Sequence, residues 1–242
     1  MRDMHGNIEK LEPVDTTGSL SYVAAEDLRL VRDKSLYERR LKRSFDIAGG
    51  IAVGVLVLPL ALTIAFAIRV GLGKGVLYSQ RRVGMDGSPF VIWKFRTMRP
   101  DRRKNEIGES GEIDDASVEG DRRSAHKVLD DPRHTGLGRA LRRLSLDELP
   151  QLINVLRGEM SLVGPRPELV GVASARGYLD HVRHEVRPGM TGPYQVSDLR
   201  LKGDLRDGLE LDEQYVRNLT LRNDLRYLVK TVRTMLAASS GS

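Results

Sequence analysis

Hydrophobic and polar positions are arranged in three different ways along this chain, and each arrangement predicts a different kind of element. The first has no alternation at all. "IAGGIAVGVLVLPLALTIAFAI", residues 47–68, carries no charge, and about 20 apolar residues are enough for a helix to cross a bilayer. The block begins well inside the chain, behind no short basic leader and without a small-residue cleavage site, so it is expected to be retained. Pro59 stands in its middle, removes one backbone donor and clashes with the preceding turn, which predicts a kink or break near Leu58.

The second arrangement is short and β-favouring. "VLYSQ" and "FVIWKF" flank the turn-rich "GMDGSP" and predict a two-stranded hairpin between Val76 and Met98. The third has the helical period. Leu146, Leu149, Leu152, Ile153 and Leu156 recur on one face with Gly158 placed to cap the end, so Asp147 and Glu148 are expected in the first turn of an amphipathic helix. "LRNDLRYLVKTVRTML" also has helical spacing, either for lying on an anionic bilayer or for packing on the protein's own core. Residues 1–34 and 99–134 show no sustained apolar period and read as a flexible tail and a mobile loop. The organisation expected is a tail at 1–34, a basic flank and membrane helix at 35–75, a cytosolic and interfacial domain at 76–236 and a short tail at 237–242. The fold class is mixed, helix-rich α/β.

Charge changes the picture of the apolar block. Arg39, Arg40, Lys42 and Arg43 precede it, and Arg69, Lys74, Arg81 and Arg82 follow it, so both ends carry the positive charge that marks the cytoplasmic side. A straight span satisfies one end only. A re-entrant helix-break-helix bent at Pro59 satisfies both, with an ordinary kinked transmembrane helix as the alternative. The net charge of +6 calls for an anionic partner. With aromatic residues at 5%, stacking platforms for nucleic acid are poorly supplied, and the membrane is the better candidate. The absence of cysteine excludes disulfide and thiolate chemistry.

The stretch "SLDELPQL" admits two readings. Ser145 with Glu148 three residues later is a capping-box pattern, and acids at a helix N-terminus complement its dipole. Arg139, Arg142 and Arg143 precede the acids, however, and Arg166 follows in the proline-bracketed "GPRP". Cations gathered where a helix start already attracts anions make a pyrophosphate site. A carboxylate that attacks phosphorus needs a divalent metal and arginines to offset repulsion, and adjacent acids can divide that labour. His181 and His184 read as a solvated helix face in preference to a metal pair. Asp46, at the membrane edge, is expected to pair with a nearby arginine.

Taken in order, "KRSFD", the proline-broken apolar block, "QRRVGMDGSPFVIWKFRTM", "LRRLSLDELPQLINVLRGEMSLVGPRPE" and "RPGMTG" resemble the monotopic phosphoglycosyl transferases, the bacterial sugar-transferase family, over roughly residues 39–236. The resemblance implies transfer of a sugar 1-phosphate from a UDP-sugar to polyprenyl phosphate with release of UMP. It implies a re-entrant membrane helix, interfacial amphipathic helices and a small cytosolic sheet, at the cytosolic face of a bacterial inner membrane. By position, Asp147 falls at the family's nucleophile and Glu148 at its Mg²⁺ partner, with Asp147 also beside the metal. Arg142, Arg166, Lys94, Arg96 and Gln195 fall at substrate or phosphate positions, and Pro59 at the helix-breaking proline. The partners implied are the UDP-sugar, polyprenyl phosphate and membrane phospholipids, with no nucleic acid and with a homodimer allowed. Two departures stand out: Leu58 where many members have Ser, and "TGPYQVSD" where many read "TGWAQVNG". The rival from another class is a non-catalytic, basic membrane-anchored adaptor.

Overall fold

The computed structural model describes residues 34–99, 135–197 and 205–240, so the expected tail at 1–34 and loop at 99–134 lie almost wholly outside the described residues. A π-helical turn, Tyr37–Leu41, leads into α1, Lys42–Gly71. Among the described residues this is the one helix long and apolar enough to cross a membrane. Its outward side chains stay open, with Leu56 79% and Phe66 71% exposed, as lipid-facing groups would be. The break expected at Pro59 is corrected, because the helix runs unbroken through it. Proline removes a single donor, and the neighbouring peptide groups, set among apolar side chains, have no better partners than one another. The Thr63 hydroxyl donates back to the Pro59 carbonyl at 2.9 Å.

The hairpin forms as expected. β1, Leu77–Val83, pairs antiparallel with β2, Pro89–Phe95, in the register Leu77↔Phe95 to Val83↔Pro89. The turn between them needs positive φ at Asp86 (55°) and Gly87 (73°), conformations that Asp tolerates and Gly adopts freely. Next come α2, Gly136–Arg143, whose start is capped by the Thr135 hydroxyl accepting from the Gly138 amide at 3.0 Å, and α3, Gln151–Arg157. β3, Ser161–Val163, pairs in parallel with β4, Gly189–Thr191, and α4, Val170–Ala175, lies between them in sequence. Among the described residues the small sheet is therefore two separate two-stranded sheets. α5, Leu205–Arg217, and α6, Leu221–Ser240, complete the described chain.

The main core joins Leu152 and Val155 of α3, Leu162 and Val163 of β3 and Tyr215 and Val216 of α5. A second cluster sets Ile64 and Ile68 of α1 against Phe95 and Leu141. Each fully buried aliphatic side chain of this kind contributes about 1.5–3 kcal/mol. Both ends of α1 touch the same body. At the N-terminal end a Cβ on Gly49 would lie 2.6 Å from a Leu162 methyl, so the Leu162 side chain fills the space that the glycine leaves on the helix. Asp46 does not pair with an arginine as expected. It accepts from Lys42 Nζ at 3.2 Å, Ser161 Oγ at 2.9 Å and the Leu162 amide at 3.1 Å. Lys42 in turn reaches Asp224 of α6 at 2.7 Å, which fastens the membrane helix to the C-terminal helix.

α6 packs on the protein's own core along one face and leaves a neighbouring apolar face open. Asp224 is fully buried and Tyr227 and Leu228 pack on the core, while Leu225, Val229, Val232 and Leu236 form an exposed apolar stripe.

Candidate active site

The acids do not sit where the periodicity placed them. Ser145 is left-handed (φ 54°), its side chain makes no capping bond, and Asp147 and Glu148 occupy a 3-10 turn, Leu146–Glu148, ahead of the α-helix. Pro150 sits at the N-cap of α3, since a residue with no N–H is accommodated best where the helix has yet to need that donor. The capping box is thereby corrected, and so is the single apolar face. Leu146 and Leu149 pack on the second cluster, Leu152 on the main core, and Ile153 and Leu156 are exposed. Gly158 caps the end of α3 as expected, with φ 86°.

Freed from capping, the Glu148 carboxylate meets Lys94 from the hairpin, whose Nζ donates to Oε1 at 2.7 Å. The same oxygen lies 3.8 Å from Arg166 Nη2. Around this contact a pocket opens whose wall includes Arg82, Lys94, Glu148, Gln151, Arg166 and Gln195. Arg82 lies in the field of Arg166 and is half-buried. Burial first, and then that neighbouring charge, lower its pKa to about 10, and it remains a cation at neutral pH. Burial likewise lowers the Lys94 pKa, opposed by Glu148. Both the nitrogen and the oxygen of the Gln195 side-chain amide are buried without a partner, leaving a donor and an acceptor unused at the pocket.

Asp147 stands beside Glu148 and is not itself on the pocket wall. It is buried, and its pKa is raised to about 6, first by burial and then by the adjacent Glu148 charge, while Lys94 and Arg142 pull the other way. Arg142, in the last turn of α2, thus acts on Asp147 through its charge. Arg96 is placed elsewhere. Its Nη2 donates to the carbonyls of Leu72 at 2.6 Å and Gly73 at 3.3 Å, where a cation complements the C-terminal end of α1. Pro59 lies within α1, away from the pocket. Nor do the histidines form the expected solvated face. His184 is buried in the 3-10 turn Val182–Glu185 with its pKa lowered to about 4, chiefly by burial, and His181 Nδ1 accepts from the Arg183 amide. No group of three or more metal-binding side chains occurs among the described residues.

Sequence reasoning missed Arg82 and Gln151. Strand alternation was the available signal for the first, because a hairpin turns one residue of the Arg81–Arg82 pair inward. Gln151 falls one helical turn after the acids, on the side that faces them, and only the observed 3-10 turn brings it there.

Loop positions follow from close backbone approach. A Cβ on Gly189 would collide with the Gly164 amide, and one on Gly192 with the Gly164 carbonyl, so the "GPRP" and "RPGMTG" loops can touch only through glycines.

The sequence matches the family model described as bacterial sugar transferase over residues 37–238. Exopolysaccharide production protein ExoY of Rhizobium meliloti is 40% identical over 195 residues, covering 79% of this chain and 83% of the relative. The undecaprenyl-phosphate galactose phosphotransferase of Salmonella typhimurium is 37% identical, covering 90% of this chain and 46% of the relative. The UDP-glucose:undecaprenyl-phosphate glucose-1-phosphate transferase of Escherichia coli is 36% identical, covering 80% and 40%. The chain spans less than half the length of these last two relatives. A family match across most of the chain, with a relative 40% identical over most of both chains, shows that this protein belongs to the bacterial sugar transferase family.

Proposed function

We propose that this protein transfers a sugar 1-phosphate from a UDP-sugar to polyprenyl phosphate at the cytosolic face of a bacterial inner membrane, initiating a surface glycan. The observation that carries the reading is the pocket where Lys94, Arg82 and Arg166 gather about Glu148, with Asp147 its neighbour in the chain and in the field of Lys94. Phosphotransferase names among the relatives support the same reaction class. Three cations offset the repulsion between a carboxylate and a phosphate, as phosphoryl transfer requires. An oxygen of Asp147 attacks the phosphorus that bears the sugar. The bond from that phosphorus to the oxygen of UMP breaks, and UMP leaves with the electron pair. An oxygen of polyprenyl phosphate then attacks the same phosphorus and releases the Asp147 carboxylate, which makes the kinetics ping-pong.

Two neighbouring carboxylates supply oxygen donors of the kind Mg²⁺ takes alongside substrate phosphates. Glu148 and Asp147 are the residues that would hold it, and bound there it would neutralise charge on the diphosphate. For the membrane helix, re-entry through one leaflet requires a kink at Pro59 within the continuous helix, and the packing of both its ends on one body, at Leu162 for Gly49 and at Phe95 and Leu141 for Ile64 and Ile68, supports that path.

Intact-protein mass spectrometry tests the reading on detergent-purified protein incubated with Mg²⁺ and a panel of UDP-sugars. The expected result is a gain of one sugar phosphate, absent in Asp147→Asn and discharged by polyprenyl phosphate. Peptide mapping would place the adduct on Asp147. An adduct on Glu148, the acid on the pocket wall, would exchange the two roles. No adduct and no UMP from any donor would leave the membrane-anchored adaptor.

A further inference from the structure

Arg166 reaches the pocket from a loop whose carbonyls are held one after another. Pro165 O accepts from the Gly189 amide at 2.8 Å, Arg166 O from Arg183 Nη2 at 2.5 Å, Pro167 O from Arg82 Nη1 at 3.2 Å and Glu168 O from the Val83 amide at 2.9 Å. Arg183 is only 5% exposed and is not on the pocket wall. Its Nη2, the atom that grips Arg166 O, also lies 3.0 Å from Asp212 Oδ2 of α5. Asp212 is 1% exposed, and the Arg183 guanidinium is seated over the Tyr178 ring at 5.9 Å. A buried arginine keeps its place only with a counter-ion, and a charged donor holds a carbonyl more tightly than a neutral one. The same helix also meets the Tyr194 ring, next in the chain to Gln195 of the pocket wall, where a Cβ on Gly208 would lie 3.1 Å from it.

We propose that Asp212 and Arg183 are positioning residues for the pocket: through the Arg166 carbonyl they fix the loop that aims the Arg166 guanidinium at a bound diphosphate, with α5 as the rigid support. An apolar pair could glue α5 to the turn below it equally well, but it could not grip the carbonyl of Arg166. The inference rests on the reading of this pocket as a diphosphate site.

A double-mutant cycle separates positioning from plain structural support, with calorimetric binding of inorganic pyrophosphate to the full chain as the readout. Asp212→Asn should weaken binding roughly tenfold, and in an Arg166→Ala background it should weaken it no further, because both changes disable the same group. Arg183→Lys keeps the charge and loses the fork, and it should show the same pattern if Asp212→Asn folds poorly. Equal losses in both backgrounds, no loss from either variant, or no pyrophosphate binding by the unmutated protein would overturn the inference. UMP release reads the functional proposal separately: pyrophosphate binding with the expected coupling, but no UMP from any UDP-sugar, would remove the transferase reading and leave the positioning pair in place.

Discussion

Two places in this molecule set one lysine against two carboxylates. At the root of the membrane helix, Lys42 Nζ spends its donors on Asp46 at 3.2 Å, Asp224 at 2.7 Å and the Val163 carbonyl at 3.1 Å. Asp224 also accepts from the hydroxyls of Tyr37 at 2.7 Å and Tyr215 at 2.8 Å. At the pocket, Lys94 makes one such bond, to Glu148, and the unpartnered Gln195 amide lies along the same wall. Both sets begin from a lysine and two acids, but the pocket adds Arg82 and Arg166. The cluster at the helix root joins α1, β3, α5 and α6 and leaves Asp46 Oδ2 as a buried atom without a partner. At the pocket a whole side-chain amide is left without one, the kind of gap that a ligand's polar atoms can fill.

The comparison breaks most decisively at Asp147. Asp147→Asn should reduce UMP release from a UDP-sugar to background, and in the unmutated protein turnover should rise as pH climbs through about 6, where the carboxylate ionises. Radiolabelled or coupled UMP assays across pH 5–8 check both outcomes. At the root of the membrane helix no reaction is at stake, only the fold. Lys42→Met leaves two buried carboxylates without their cation and should cost about 3–5 kcal/mol, read from denaturant unfolding in detergent.

A smaller effect sharpens the contrast. A folded pKa raised from 3.8 to about 6 means that Asp147 favours folding at pH below 3.8, and that this contribution is lost as pH rises through about 6. Asp147→Asn should therefore stabilise the fold at pH 8 by on the order of 2 kcal/mol, read as a higher melting temperature, and leave it nearly unchanged at pH 4. Smallest is Ser145→Gly. A helix cap would lose stability by this change, whereas a left-handed Ser that makes no capping bond should gain on the order of 0.5 kcal/mol, measurable as a shift in the thermal midpoint.

The sequence by itself determined whatever depends on neighbours along the chain. Residues 47–68 have no charge to satisfy and so can only be a long apolar helix, strand alternation and "GMDGSP" make the hairpin, and Gly158 supplies the positive φ that ends α3. Of the residues that the family resemblance singled out, Glu148, Lys94, Arg166 and Gln195 share one pocket wall, and Asp147 stands off it. Tertiary structure decided the rest, because the deciding partner is far away in sequence. Glu148 could not be known to leave its cap until Lys94 came within 2.7 Å across the hairpin. Arg96 and Arg82 look alike in the sequence, yet the end of α1 takes the first and the pocket takes the second. Lys42 and Asp224 lie 182 residues apart, and only the fold of the chain makes them neighbours; a buried charge settles on whatever opposite charge packing brings to it.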